Sequence, residues 1–371
     1  MRAPARTPAA TPERPTKTER PPDGTRAVKK NIFLYAGPHR SGSVFLQTHI
    51  FPHVPGLCTM RERDHECNDI VMEVLDEHPM FVDFEAYRKR LAKCIAAQEE
   101  ENILFSNEEY FGDYGKYITD RVYVCKPFSD NEQRAVFLSK LFDRPKVILT
   151  PRRQDYWVQS AYMHFVHNFH TVTFEEFFNP GMLKGSSLFG TRSLKPSLDY
   201  KTLDWGLYVE NYFRIFGREN VLVVPHEMVL HSLHEALEKI YTFMGVEPYY
   251  PEQVPHINKS YSPLAYRLAM IFNRFVRNGQ NPLGIIPVQP FLVEIQRLRQ
   301  KKDTRLLWFL AGISRRVNLR WFLHDVLGKF DHGKLDLLGP ERRQTILEYY
   351  KEPNRKYAEL IGTDLRKYGY Y

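Results

Sequence analysis

Residues 31–51, NIFLYAGPHRSGSVFLQTHIF, constrain the chain more than any other stretch. Residues 31–36 are a short apolar run rich in strand-forming side chains, which predicts a buried β-strand. Gly37 and Gly42 bound a tight loop. Residues 44–50 read as the first turns of a helix, with Ser43 near its start as a cap. Strand, glycine-bounded loop and helix together present backbone N–H groups and a helix N-terminus to an anion.

The two glycines have the G-x-x-x-x-G spacing of a nucleoside-triphosphate loop, but Ser43 and Val44 stand where that motif has Lys and Ser/Thr. The lysine that reaches the outer phosphates is missing, and so is the hydroxyl that holds Mg²⁺. Arg40 supplies a cation from inside the loop instead. Such a loop suits a phosphate and is poorly equipped for triphosphate chemistry.

Further along, apolar runs at 102–106, 146–150 and 220–225 predict three more strands. Helical spacing predicts helices over 81–97, 131–142, 155–167, 173–178, 200–216 and 233–244, while 51–101 reads as loop followed by helices. Strands alternating with helices predict an α/β fold with a parallel sheet flanked by helices. Ligands of such sheets bind at the carboxyl ends of strands.

Two more strand ends carry chemistry. After 146–150 comes PRRQDYWVQSAY, where Arg152 leaves the strand and Ser160 follows one to two helical turns later. A guanidinium fork and a hydroxyl can face one phosphate there; the plainer reading is a surface pair of Arg152 or Arg153 with Asp155. After 102–106 comes Asn107-Glu108-Glu109. A carboxylate at that place can act as a general base, or can merely favour a helix N-terminus.

PHRSGS followed by an apolar helix resembles the 5′-phosphosulfate-binding loop of sulfotransferases, which take a sulfonate from 3′-phosphoadenosine 5′-phosphosulfate (PAPS). The R-x₇-S spacing of Arg152 and Ser160 is similar to their 3′-phosphate segment, and RRQDYWVQSAY with TFEEF resembles a bacterial branch. The common Arg-x-Pro-x-Asp form is absent: Gln154 stands where Pro would be and Asp155 comes one position early. The stretch LDYKTLDWGLYVENYFRIFGRENVLVVPHE, then FMGV, HINKS and the ending EPNRKYAELIGTDLRKYGYY, follow the order of the same branch.

The resemblance implies a P-loop-like sulfotransferase fold over residues 31–371, with a helical C-terminal insertion at about 267–335. It implies PAPS as donor, 3′,5′-adenosine bisphosphate as product and no required metal. The donor would be held by Arg40, Ser41, Gly42, Ser43, Val44, Arg152 and Ser160, with Lys259, beside Asn258 and Ser260, approaching the 3′-phosphate. Arg40 would act in catalysis, and Glu108 would be the base, with Glu109 second and His39 as its rival. The implied acceptor is a hydroxyl or amine of a glycan, glycolipid or other cell-surface precursor. A kinase-like enzyme with a degenerate loop and a non-catalytic module for anionic ligands are the alternatives.

Charge and cysteines bound the rest. Residues 1–30 hold eight Lys/Arg against three Asp/Glu and read as a disordered, Pro-rich basic tail without a secretory apolar region. The four cysteines form no close pair and read as scattered thiols, so the expected compartment is the cytoplasm. Residues 267–320 carry eleven Lys/Arg and two acidic residues beside apolar runs. That balance suits a polyanionic glycan or peripheral contact with a membrane's inner face, or a helical lid with its apolar face on the main domain. No nucleic-acid-reading motif is present.

Overall fold

The computed structural model describes residues 30–61, 65–113, 124–178, 197–252, 261–277, 284–287, 333 and 335–371. Five short segments build one sheet: β1 (Asn31–Tyr35), β2 (Leu57–Arg61), β3 (Asn102–Ser106), β4 (Lys146–Leu149) and β5 (Val221–Val223). Their order is β2-β3-β1-β4-β5, and every pairing is parallel. Phe33, Leu34, Ile103, Leu104, Val147 and Ile148 are all fully buried, which is why the central strands read as continuous apolar runs.

The sheet changes its direction of growth at β1. β2 and β3 lie to one side, β4 and β5 to the other. The carboxyl ends of β1 and β4 lie side by side at this reversal, the position at which open α/β sheets hold a ligand in a crevice. Around the sheet run α1 (Ser43–Phe45), α2 (Glu66–Asp76), α3 (Phe84–Ala96), α4 (Asn131–Leu141), α5 (Gln154–His167), α6 (Phe174–Phe178), α7 (Trp205–Phe216), α8 (His226–His231), α9 (Leu233–Met244), α10 (Pro263–Asn273) and α11 (Gly339–Ile361).

Three local expectations are corrected. β2 falls where loop was expected: it is an edge strand with only Leu57 and Met60 buried, so it shows no continuous apolar run. The helix after the glycine loop is irregular, because α1 passes directly into a π-helical turn over Leu46–Ile50. Its N-cap is Gly42 in the left-handed conformation, and no side chain caps it. The 200–216 helix is split into a 3₁₀ turn, Tyr200–Thr202, and α7.

The cysteine reading is also corrected. Cys67 on α2 and Cys94 on α3 form a disulfide, while Cys58 is free. The two are 27 residues apart in sequence, yet their Cα atoms lie 5.7 Å apart because α2 packs on α3. Disulfides persist in oxidising surroundings, so the cytoplasmic expectation loses the support it drew from scattered thiols. Closing a loop of this length removes about 3.5 kcal/mol of unfolded-state entropy. Cys94→Ser, or added reductant, should therefore lower the thermal midpoint measured by circular dichroism. An unmoved midpoint would mean that the chain carries thiols.

α11 and the chain end brace the segment that follows β4. Asn354 and Gln154 exchange side-chain hydrogen bonds of 2.8 and 3.2 Å. Arg343 donates to the buried Asp155, and Arg153 donates to Tyr368 O at 2.9 Å. Tyr370 OH donates to the buried Glu227 at 2.8 Å. The expected tail at residues 1–30, apart from Lys30, and most of the expected helical insertion lie outside the described residues. Among the described residues no helix is long and apolar enough to cross a membrane.

Candidate active site

Two buried tryptophans hold the two segments that line the crevice. Trp157 Nε1 donates to His39 O at 2.7 Å, and Trp205 Nε1 donates to Arg152 O at 2.7 Å. Their ring centroids are 6.4 Å apart, within a cluster that includes Phe111 and Phe128. The loop after β1 and the strand end after β4 are thereby fixed on one aromatic base. Backbone strain marks the same loop, since Arg40 has φ 67° although it carries a side chain.

Across the crevice the two segments touch. Arg40 Nε donates to Ser160 Oγ at 3.2 Å, and an Arg152 terminal nitrogen donates to Arg40 O at 3.0 Å. Arg40, Arg152 and Ser160 thus meet although up to 120 residues separate them. Arg153 points elsewhere, forking Asp155 with bonds of 2.6 and 2.9 Å. The expected surface pair exists as a buried one, with Asp155 fully enclosed. Burial raises the Asp155 pKa, but Arg153 and Arg343 outweigh it and hold the carboxyl below the usual range.

Several polar atoms here lack partners. Ser41 Oγ and Arg152 Nε are sealed from solvent with no hydrogen-bond partner among the described residues. Burial pulls the Arg152 pKa down, and Glu227 partly offsets this. Unpaired buried donors are costly, so a cluster of them marks a place for an acceptor-rich group. Phosphate oxygens are such acceptors, and the N–H groups at the N-cap Gly42 and at Ser43 and Val44 of α1 add donors of the same kind.

The carboxylates converge on the loop from β3. Glu108 opens a 3₁₀ turn, Glu108–Tyr110, whose cap Asn107 accepts from the Glu109 N–H at 2.9 Å. Ser43 donates its hydroxyl to Glu108 rather than capping α1. His39 Nδ1 lies 2.8 Å from Glu108 and His39 Nε2 lies 3.3 Å from Glu109. Burial alone would strip the His39 proton, but hydrogen bonds and charge from both glutamates outweigh it and push the pKa up to about 9. Burial likewise raises the Glu108 pKa, yet His39, Ser43 and Arg40 hold it below the usual range.

One neighbour was not singled out from sequence. His226 follows β5 at the same sheet edge, and a Cβ on Gly42 would lie 2.2 Å from its Cε1. Burial, then Arg152 and His231, push its pKa well below the ordinary value, so it stays neutral. The available signal was its place just after an apolar strand. Lys259, Asn258 and Ser260 lie outside the described residues. A separate surface cavity of about 360 Å³ is lined by Arg355, Glu359, Arg366 and Tyr371, and both arginines are already paired, with Glu352 and Asp364.

No family model and no curated protein matches the chain. Among solved structures it is similar to a sulfotransferase from Alicyclobacillus acidocaldarius, with 18% identity and TM-score 0.39 over 66% of this chain and 91% of that one. It is similar to mouse sulfotransferase SULT7A1 complexed with PAP, with 15% identity and TM-score 0.28 over 67% and 64%. It is also similar to the sulfotransferase domain of the Synechococcus PCC 7002 olefin synthase, with 16% identity and TM-score 0.27 over 66% and 94%.

Proposed function

We propose that this protein is a PAPS-dependent sulfotransferase that moves a sulfonate to a hydroxyl or amine of a glycan, glycolipid or other cell-surface precursor. The observation that carries the reading is the junction of Arg40, Ser160 and Arg152, two phosphate-type segments in direct contact at one sheet edge. One segment alone would suit any phosphate. Two together suit a nucleotide phosphorylated at both ends, and the unpartnered Ser41 Oγ and Arg152 Nε fit its oxygens.

When bound, PAPS supplies an activated sulfonate. The loop N–H groups, that of Ser43 among them, with Arg40 and Ser41 would hold the 5′-phosphate, and Arg152 and Ser160 would hold the 3′-phosphate, while the Ser43 hydroxyl stays on Glu108. Arg40 also offsets the charge that grows on the leaving phosphate oxygen. Glu108 takes the acceptor proton. His39 is the weaker candidate for base, because both its ring nitrogens face carboxylates and its proton is retained to about pH 9. It positions Glu108 instead. The proposed mechanism calls for no metal, because the leaving phosphate would be cradled by cationic and N–H donors.

Calorimetric titration with 3′,5′-adenosine bisphosphate, beside 5′-AMP and ATP–Mg²⁺, tests the donor site. Selective binding of the bisphosphate is expected. Equal affinity for all three, or preference for ATP–Mg²⁺, would overturn the reading in favour of a kinase-like enzyme.

A further inference from the structure

The helix α10 carries an apolar stripe on its outer side as well as a packed inner one. Its fully buried residues are small or polar, Ala265, Ala269 and Asn273, and Tyr266 and Met270 pack beside them on the core. Its exposed side carries Leu264, Leu268, Ile271 and Phe275 at the spacing of a single helical face. Ile271 is 52% exposed and Phe275 49%. Pairing of Val276 with Ile286 places Ile285, 74% exposed, close to the end of this stripe. The stripe is about 17 Å long at the rise of an α-helix.

This orientation is held in place. Asn273 Nδ2 donates to Val166 O at 2.9 Å and His170 O at 3.0 Å, both buried or nearly so. The Tyr266 and Tyr162 hydroxyls share a hydrogen bond of 2.9 Å. The helix cannot turn the stripe from Leu264 to Phe275 inward without breaking these bonds.

We infer that the α10 face docks on an anionic lipid surface. Charge selects this occupant. Residues 261–277 contain three arginines and no acidic residue, and 267–320 carry nine net positive charges. Arg267 and Arg274 are exposed on the same helix as the stripe. Apolar side chains entering the headgroup boundary with arginines beside them is the pattern of an interfacial helix. A second copy of the chain would bring like charges together around the same stripe. The inference is independent of the proposed chemistry, although α5, which bears Ser160, is the helix that α10 packs on.

Flotation of the full chain at low ionic strength tests it. One set of vesicles is phosphatidylcholine alone, and the other is about three parts phosphatidylcholine to one part phosphatidylserine. Binding to the anionic vesicles only is expected. Ile271→Ser with Phe275→Ser should weaken it by about tenfold or more. Arg267→Glu should weaken it by about tenfold. Both variants should keep the parent's melting midpoint and bisphosphate affinity, because the replaced side chains are exposed. Absent binding to the anionic vesicles, or undiminished binding in both variants, overturns the inference. So does a dimer in sedimentation velocity that the double serine variant abolishes.

Discussion

Arg152→Ala is expected to lower affinity for 3′,5′-adenosine bisphosphate while leaving 5′-AMP affinity nearly unchanged. Arg152 is sealed at Nε without a partner, and its bond to Arg40 O uses another nitrogen. Most of its donor capacity is therefore left for a ligand. Removing one side of a buried, charge-assisted pair costs about 2–5 kcal/mol, roughly thirtyfold to a few thousandfold in affinity. Arg152→Lys should recover only part of this, because an ammonium lacks the planar fork. The 5′-AMP titration separates the two roles of the residue. If both ligands weaken equally, Arg152 acts through its hold on the loop and not through a 3′-phosphate.

Glu108→Gln is expected to lower turnover by about a hundredfold to ten-thousandfold, the usual worth of a general base, with bisphosphate affinity kept. Glutamine still accepts from Ser43 but cannot take a proton. The pH profile carries a second signature. Glu108 is held below its ordinary pKa of 4.5, so the base stays ionised through neutrality and the acid limb lies below that value. His39 is raised from 6.5 to about 9. The stability from its pairing is therefore full below pH 6.5, declines above it and is gone once pH has passed about 9. That difference is on the order of 3 kcal/mol. Urea unfolding followed against pH should show this alkaline loss, and His39→Gln should abolish it. A profile that does not change in His39→Gln would remove His39 from the pair.

The fold was legible where burial is symmetric. β1, β3 and β4 lie inside the sheet, so their central positions are all apolar and the strand announces itself. β2 at the edge alternates weakly and was lost in a stretch read as loop. α9 was legible because its apolar residues keep helical spacing and Gly245 ends it in the left-handed conformation. The Cys67–Cys94 disulfide was illegible for another reason: spacing along the chain says nothing about which helices pack.

The candidate site divides in the same way. The residues themselves were legible, because glycine spacing, a cation in the loop and strand-end position are local properties of the chain. Arg40, Glu108, Arg152 and Ser160 all follow from such local rules. Their protonation and their partners were not, because these depend on distances between segments. His39 looked like a base until two carboxylates were placed against it, and Ser43 looked like a cap until Glu108 took its hydroxyl. The roles of Trp157 and Trp205 as supports of the two backbones also needed the fold. Sequence by itself determined which cationic, hydroxyl and carboxylate side chains stand at which strand ends. Only the tertiary structure decided which of them meet, because hydrogen bonds and charge interactions fall off over a few ångströms and the chain order does not encode those distances.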